Sequence, residues 1–319
     1  MKCAPPDSGP NLPLETQDVK PETHAVHWKQ ITLVGVGLLG GSLGLALRER
    51  RLAEAVVGYV RRQARVAECE GLGAVDRATG DLRGAVEGAA VVVLCTPLAQ
   101  MRPLVEQMLP ALAPGAIVTD VGSVKGGVVE DLEALVAQAG GHFIGSHPMA
   151  GAEKTGVAAA RADLFVNALC VLTPTANSHP PALRQVRGLW ESLGARVLEL
   201  TPEAHDELVS RSSHLPHVLA AQLASLVLNP EYPAQQGALC AHGFRDTTRL
   251  ASSSPEMWRD IALANRKNLS RALETFMRDL RAFNRALKAG DAQAIARFFE
   301  TAKQRRDGWS ASARASSPG

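Results

Sequence analysis

A strand, a glycine-rich turn and a helix follow one another near residue 35, and this succession constrains the fold more than any other feature. The apolar run 31–36 suits a buried parallel strand. It enters the spacing Gly35-x-Gly37-x-x-Gly40, and residues 42–50 then predict a helix. In a dinucleotide-binding turn the first glycine permits the tight turn, the second lets a pyrophosphate approach the backbone, and the third allows close helix–strand packing.

The alternative is a glycine-rich turn in another kind of α/β domain, because a chain with 28 glycines can produce this spacing by chance. The strand before the motif and the helix after it favour a dinucleotide-binding turn. The free N–H groups at the helix N-terminus would then face the phosphates. The predicted cofactor-binding residues of this turn are Gly35, Gly37, Leu38, Leu39 and Gly40.

Apolar strands alternate with helices along the first 200 residues. The predicted strands are 55–60, 91–96, 116–120, 143–145, 169–173 and 196–200, and the predicted helices include 101–111 and 127–139. This alternation predicts an α/β fold built on a doubly wound, Rossmann-type parallel sheet. Ligands of such sheets bind beyond the carboxyl ends of the strands.

Two residues stand out in the loops predicted at that edge, which are 96–98, 121–125 and 146–149. A neutral imidazole of His147 could accept a proton from a substrate hydroxyl as hydride leaves. Ser123 could hydrogen-bond either the reacting oxygen or the imidazole. A lone histidine is often a surface residue or a satisfied core residue, and this alternative stays open. Thr96 and Pro97 are predicted to contact the cofactor.

The second strand bears on the choice of cofactor. NAD-binding sites usually place an acidic residue about 20 residues after the first glycine, where it binds the ribose 2′-hydroxyl. This chain has Val60 there, followed by Arg61 and Arg62. An arginine pair attracts a 2′-phosphate, so we predict NADP in preference to NAD. The alternative is two surface arginines that are only solvated.

Composition bounds the remaining possibilities. A length of 319 residues suggests about two domains, and a net charge of +2 argues against a nucleic-acid-binding protein. No apolar run reaches the ~18 residues that a membrane-spanning helix needs. The cysteines show neither a disulfide framework nor metal-ligand spacing, and we expect a cytoplasmic protein without a metal site. They are Cys3, Cys69, Cys95, Cys170 and Cys240.

The second half is predicted to be helical, starting at Thr201 and Pro202. From Trp258 onward, apolar residues recur at spacings of three and four, which predicts one long amphipathic helix ending at Gly290. Its apolar face requires a partner surface. That surface belongs either to the same bundle or to a second copy of the chain.

The predicted domain organisation follows from these patterns. Residues 30–200 form the dinucleotide-binding domain, and residues 201–309 form a helical domain for substrate binding and dimerisation. Residues 1–29 and 310–319 lack apolar periodicity, and we predict that both segments are disordered.

Several segments together resemble the prephenate/arogenate dehydrogenases, the cyclohexadienyl dehydrogenases of tyrosine biosynthesis. They occur in the family's order over residues 30–309, and they are GVGLLGGSLGLAL, DVGSVK, SHPMAG, SHLPH and GFRDTTRLASSSPEMW. The resemblance implies oxidative decarboxylation of prephenate or arogenate, with His147 as the partner of the substrate hydroxyl and Ser123 assisting. It also implies a homodimer built from the helical domains. Many family members have Asp after the second strand, and its absence here puts NAD specificity in doubt.

Two residue pairs in the second half are candidates for substrate binding. His214 and His217 are three residues apart and would share a helix face, while Arg245 and Arg249 are four apart. Metal binding by the histidines lacks a nearby acidic or thiol ligand. The resemblance implies that Ser213, His214 and His217 bind substrate, and arginines suit a dicarboxylate. The family favours Arg249 as the anchor, and Arg245 could instead be a surface residue.

Two alternative functions stay open, and the first of them shares this architecture. A β-hydroxyacid dehydrogenase-like reductase would normally place a catalytic lysine in the helical domain, and no motif here indicates one. A non-catalytic nucleotide sensor would leave His147, Ser123 and Arg249 unexplained. Glu153 and Lys154 could gate the cleft or form an exposed charge pair.

Overall fold

An eight-stranded sheet dominates the first two thirds of the computed structural model, which describes residues 27–151, 154–233 and 235–315. The strand order is β3-β2-β1-β4-β5-β6-β7-β8. The strands are β1 Trp28–Val34, β2 Ala53–Tyr59, β3 Arg77–Thr79, β4 Val91–Leu94, β5 Ile117–Asp120, β6 His142–Pro148, β7 Leu169–Thr173 and β8 Arg196–Glu199. The helices between them are α1 Leu38–Glu49, α2 Val66–Gly71, α3 Leu82–Val86, α4 Leu98–Met108, α5 Gly126–Gln138 and α6 Pro180–Ser192.

The sheet confirms the predicted Rossmann-type fold, with one reversal. Strands β1 to β6 pair in parallel, whereas β7 runs antiparallel to β6 and β8 runs parallel to β7. Pro148 at the end of β6 pairs with Cys170 near the start of β7. The connection 149–168 therefore leaves and re-enters the sheet at the same edge. It packs on α1, where the Arg161 amide donates to Ser42 Oγ at 3.0 Å.

Helices cover both faces of the sheet. Along β4, Val91 and Val93 join one buried cluster, while Val92 and Leu94 join the cluster on the opposite face. All four side chains are buried because parallel strands in this kind of fold have helices on each side. This double burial explains why the strands read as continuous apolar runs in the sequence.

Two elements at the ligand edge extend further than the sequence predicts. Helix α1 begins at Leu38 rather than at residue 42, because Gly37 serves as its N-cap and its carbonyl accepts from the Gly41 amide at 2.8 Å. Strand β6 continues through His147 to Pro148, whereas a loop is predicted from residue 146. Its backbone pairing with β7 sustains the extended conformation there.

After β8, the described residues form helices joined by short turns and coil segments, without a further strand. Helix α7, Pro202–Val209, begins at an N-cap in which Thr201 Oγ1 accepts from the Ala204 amide at 3.2 Å. One turn of π-helix, Ser210–His214, joins it to α8, Leu215–Val227. The remaining helices are α9 Gln235–Ala238, α10 His242–Thr248, α11 Pro255–Ala264, α12 Arg266–Ala289 and α13 Ala292–Ala315.

The prediction of one long helix from Trp258 to Gly290 is wrong. The helix breaks at Asn265, whose φ of −106° and ψ of 27° end α11 and start α12. The Asn265 side chain is 3% exposed and hydrogen-bonds groups elsewhere in the fold, so its position is set by tertiary contacts. Gly290, with φ of +64°, ends α12 as the sequence indicates.

The ends of the fold also differ from the prediction. Strand β1 begins at Trp28, while residues 1–26 of the predicted disordered segment lie outside the described residues. Helix α13 continues beyond Trp309 to Ala315, because residues 310–315 include the good helix formers alanine and arginine. Residues 316–319 are not described. Among the described residues, no helix combines the length and apolar character needed to cross a bilayer.

Candidate active site

The glycine turn after β1 has the geometry of a phosphate-binding loop. Gly35 has a φ of +100°, and a Cβ there would lie 2.7 Å from the Cys95 carbonyl oxygen. A Cβ at Gly40 would lie 2.0 Å from the Gly35 carbonyl oxygen, so only glycine permits this packing of α1 on the turn. A Cβ at Gly37 would meet nothing within 4 Å. The first turn of α1, which starts with Leu38 and Leu39, therefore opens onto unfilled space.

A cavity of about 260 Å³ lies beside this turn. Arg61 lines it, whereas Arg62 lies outside its wall and precedes a short 3₁₀ turn. Thr96 Oγ1 is buried without a hydrogen-bond partner among the described residues. The lining residues are Gly35, Tyr59, Arg61, Cys95, Thr96, Pro97, Gln100 and Leu104. The turn, the unpaired hydroxyl and the arginine fit a phosphorylated dinucleotide.

His147 lies on β6 at the same edge of the sheet. It pairs with Val171 of β7, and its side chain is 9% exposed. Its Nδ1 lies 2.8 Å from His205 Nε2. Burial lowers the pKa of His147 well below its ordinary value, and His205, Lys125 and His214 lower it further. His147 is therefore a neutral imidazole that can accept a proton.

His205 and Asp206 complete a buried chain of hydrogen bonds behind His147. His205 Nδ1 lies 2.8 Å from Asp206 Oδ1. The amide of Lys125 donates to Asp206 Oδ1 at 2.7 Å, and the amide of Gly126 donates to Oδ2 at 2.9 Å. Neither residue is among those predicted from the sequence. They lie within an ordinary helical segment, and nothing local distinguishes them from a solvated His-Asp pair.

Ser123 lies half-buried in the loop after β5, at the edge that carries His147. The described residues include no hydrogen bond between its side chain and His147. Its backbone lies close to His214 and influences the pKa of that imidazole. The structure thus brings Ser123 to the predicted edge, with its hydroxyl unengaged by His147.

His214 and His217 converge on Trp258 from the π-turn and α8. The His217 ring stacks on Trp258 with centroids 3.7 Å apart, while His214 meets the indole edge at 5.9 Å. Burial lowers the pKa of His214 to about 4, although Asp206 opposes that shift. The Asn265 Nδ2 group lies 3.1 Å from His214 Nδ1. The predicted shared face of the two histidines is therefore occupied by an aromatic ring.

Both predicted arginines are exposed, but they differ in their neighbours. Arg249 lies close enough to His217 to lower the pKa of that imidazole, an effect smaller than that of burial. Arg245, one turn earlier on α10, is exposed. Lys154 is exposed, and Glu153 lies outside the described residues. Ser213 is half-buried, and its carbonyl accepts from His217 Nδ1 at 2.9 Å.

Within residues 27–151, 154–233 and 235–315, no group of three or more histidine, cysteine, aspartate or glutamate side chains could hold a metal ion. The same residues contain four free cysteines, which are Cys69, Cys95, Cys170 and Cys240.

Two domain models of one protein family match this chain. The prephenate dehydrogenase nucleotide-binding domain matches residues 43–199, and the prephenate dehydrogenase dimerization domain matches residues 201–301. A prephenate dehydrogenase of Bacillus subtilis is 36% identical over 281 residues, covering 87% of this chain and 75% of the relative. A cyclohexadienyl dehydrogenase of Zymomonas mobilis is 33% identical over 282 residues, covering 88% and 95%.

Solved structures agree with these matches. A prephenate dehydrogenase from A. aeolicus, in complex with hydroxyphenyl propionate and NAD+, superposes with a TM-score of 0.82 at 31% identity, covering 88% of this chain and 98% of that one. A Synechocystis arogenate dehydrogenase superposes with a TM-score of 0.74 at 33% identity, covering 88% of this chain and 99% of that one. A 3-hydroxyisobutyrate dehydrogenase from Salmonella typhimurium gives 0.56 at 13% identity and shares only the fold.

Proposed function

Since the chain belongs to the prephenate dehydrogenase family, we propose that it oxidatively decarboxylates prephenate, arogenate or both in tyrosine biosynthesis, with NADP as the preferred hydride acceptor. It is an NAD(P)-dependent oxidoreductase. The observation that carries the proposed chemistry is His147, a buried and neutral imidazole at the edge of the sheet that also carries the glycine turn.

The residues act on a ring that carries a hydroxyl at C4 and a carboxylate at C1. NADP supplies the hydride acceptor when it is bound beside the glycine turn. As hydride leaves C4, His147 takes the proton of the hydroxyl, and C4 becomes carbonyl-like. The bond between C1 and the carboxylate then breaks, CO₂ leaves, and its electron pair makes the ring aromatic. The oxygen at C4 finally takes up a proton and becomes a phenol. Ser123 is proposed to hydrogen-bond the reacting oxygen.

The substrate is proposed to lie between β6 and the helical half. His214, His217 and Ser213 are the proposed contacts on the helical side, and the half-buried Trp258 ring contacts both imidazoles. Arg249 supplies a positive charge near His217 that suits a substrate carboxylate. Arg245 is a second candidate for the other carboxylate. Both arginines are exposed, and Arg249 is the better supported because it influences the pKa of His217.

The preference for NADP rests on the second strand. The buried Val60 replaces the acidic residue that would repel a 2′-phosphate, and Arg61 lines the cavity beside the glycine turn. Arg62 lies nearby on the surface. The proposed cofactor contacts are Gly35, Gly37, Leu38, Leu39, Gly40, Arg61, Arg62, Thr96 and Pro97.

The assembly is proposed to be a homodimer through residues 201–309, with residues 30–200 forming the dinucleotide-binding domain. Helices α11 to α13 leave large apolar side chains exposed, and a second copy would cover them. These side chains are Met257, Leu263, Met277, Leu280, Leu287, Phe298, Phe299 and Trp309. Light scattering at micromolar concentration should give twice the chain mass of 33.8 kDa.

Cofactor reduction by the purified protein tests the function. Prephenate and arogenate are each offered with NADP and with NAD, and the products 4-hydroxyphenylpyruvate and tyrosine are measured. Faster turnover with NADP supports both the reaction and the arginine argument. Turnover with NAD alone keeps the reaction and refutes the cofactor preference. Inactivity with both substrates and both cofactors refutes the proposed function.

A further inference from the structure

The base on the sheet is contacted by a helix of the other half of the chain. His205 and Asp206 lie on α7, yet the His205 ring reaches β6 and approaches His147 at 2.8 Å. His205 is 0% exposed and Asp206 is 5% exposed. Two imidazoles and a carboxylate thus form one buried line of hydrogen bonds.

The carboxylate fixes the direction of this line. Both of its oxygens accept backbone N–H bonds, from Lys125 at 2.7 Å and Gly126 at 2.9 Å. The main-chain carbonyl of Asp206 also accepts from Asn265 Nδ2 at 2.8 Å. Because the Asp206 carboxylate is an acceptor, the bond of 2.8 Å to His205 Nδ1 requires that this nitrogen carry the hydrogen.

The remaining protons follow from the chemistry of neutral imidazole, which has one N–H and one lone pair. With Nδ1 protonated, His205 presents the lone pair of Nε2 to its neighbour. His147 Nδ1 must then donate in the bond of 2.8 Å, and His147 Nε2 keeps the lone pair. The opposite tautomer of His147 would place two lone pairs against each other and would have no basic nitrogen left for a substrate.

We infer that His205 and Asp206 are positioning residues, which hold His147 in the tautomer whose Nε2 can take the substrate's hydroxyl proton. The inference rests on the proposed function only for that last step. The tautomer itself is a property of the protein without ligands. The basicity of His147 Nε2 on β6 therefore depends on the packing of α7 against that strand.

The first test is ¹⁵N NMR of the imidazoles in the full-length protein without ligands, with His147 assigned by its loss in His147→Asn. We expect the shifts of the Nδ1–H tautomer. An Nε2–H tautomer, or a doubly protonated His205 donating to His147, overturns the inference. The spectrum does not depend on turnover. An inactive wild type would therefore refute the proposed function, while the spectrum would still show which tautomer His147 adopts.

The second test separates positioning from general stability. In His205→Leu we expect kcat to fall roughly 10- to 100-fold, while KM for substrate and cofactor changes less than about twofold. His205→Gln has a donor and an acceptor on one planar amide and should recover most of kcat. His142→Leu removes a histidine from the other end of β6 and should keep wild-type kcat. An equal loss in the leucine and glutamine variants, or no loss in either, overturns the inference.

Discussion

The ammonium of Lys125 and the carboxylate of Asp120 form an ion pair in which neither side chain is exposed. The same ammonium donates to the Ser146 carbonyl at 2.9 Å, and the Ser146 amide donates to Asp120 Oδ1 at 3.1 Å. The pair therefore ties the end of β5 to β6 at the residue before His147. It also places a positive charge near that imidazole, which contributes to its lowered pKa.

Removing one member of this pair should destabilise the fold severely. Lys125→Met leaves a buried carboxylate without its counter-ion, and we expect the free energy of unfolding to fall by about 3–5 kcal/mol in urea. The exposed pair of Arg102 and Asp131 is the control, and Arg102→Met should cost at most about 1 kcal/mol. Equal losses in the two variants would contradict the structural role of Lys125.

The proposed base can be tested by removing its imidazole. His147→Asn should lower kcat by roughly 10²–10⁴-fold and leave the Kd of NADP unchanged, because the proton acceptor is lost while the glycine turn remains. Stopped-flow turnover and cofactor fluorescence give the two values. His142→Asn on the same strand is the control. A variant that loses only cofactor affinity would remove His147 from the chemistry.

Cofactor preference should depend on Arg61. Arg61→Asp replaces a charge that attracts the 2′-phosphate with one that repels it, so KM for NADP should rise roughly 10- to 100-fold. KM for NAD should change little or improve. Arg65→Ala removes a nearby arginine that pairs with Glu68 and should leave the preference intact. An unchanged ratio of kcat/KM for the two cofactors in Arg61→Asp would refute the NADP proposal.

Substrate anchoring should depend on Arg249. Arg249→Gln removes the charge-assisted partner of a carboxylate, and we expect KM for prephenate to rise at least about tenfold. Arg245→Gln, measured in parallel, decides whether the second arginine also contributes. Arg259→Gln is the control, because Arg259 is exposed and pairs with Asp260. If KM stays the same in Arg249→Gln, Arg249 does not bind the substrate.

Stability should depend on pH through His214. Its pKa is about 4 in the folded protein against an ordinary 6.5, so the unfolded chain binds more protons between these values. The folded state therefore has its full stability above pH 6.5, where His214 is neutral in both states. It loses stability as the pH falls toward 4, because the unfolded chain is protonated first. We measure the free energy of unfolding of the wild type and of His214→Gln. The wild-type value minus the variant value should decrease by roughly 2 kcal/mol between pH 7 and pH 5. A difference that is constant with pH would contradict this expectation.

The sequence predicts those parts of the fold that depend on local backbone chemistry. The turn from Gly35 to Gly40 is recognisable because a Cβ at Gly35 would collide with the Cys95 carbonyl oxygen, and a Cβ at Gly40 would collide with the Gly35 carbonyl oxygen. The extension of β6 through His147 is not recognisable, because it depends on pairing with β7. A polar segment with a proline resembles a loop until its partner strand is known.

The buried polar contacts behind His147 cannot be predicted from the sequence, for a related reason. Asn265 lies in an unbroken helical pattern, and only its bonds to the Asp206 carbonyl and His214 show why the helix breaks there. His205 reads as a polar residue on an amphipathic helix, although it is fully buried. Such residues are specified by distant partners, and single-chain periodicity contains no information about them.

The reversal of β7 has a consequence for protein engineering. The connection 149–168 begins and ends next to one pair of neighbouring strand residues, Pro148 of β6 and Cys170 of β7. The sheet itself closes this loop, and lengthening a loop that is already closed costs little entropy. Inserted residues would therefore displace no strand. Because Val157, Leu164 and Phe165 of this connection are buried in the core, a foreign segment can be grafted at exposed residues such as Lys154 and Thr155 while the sheet keeps its register.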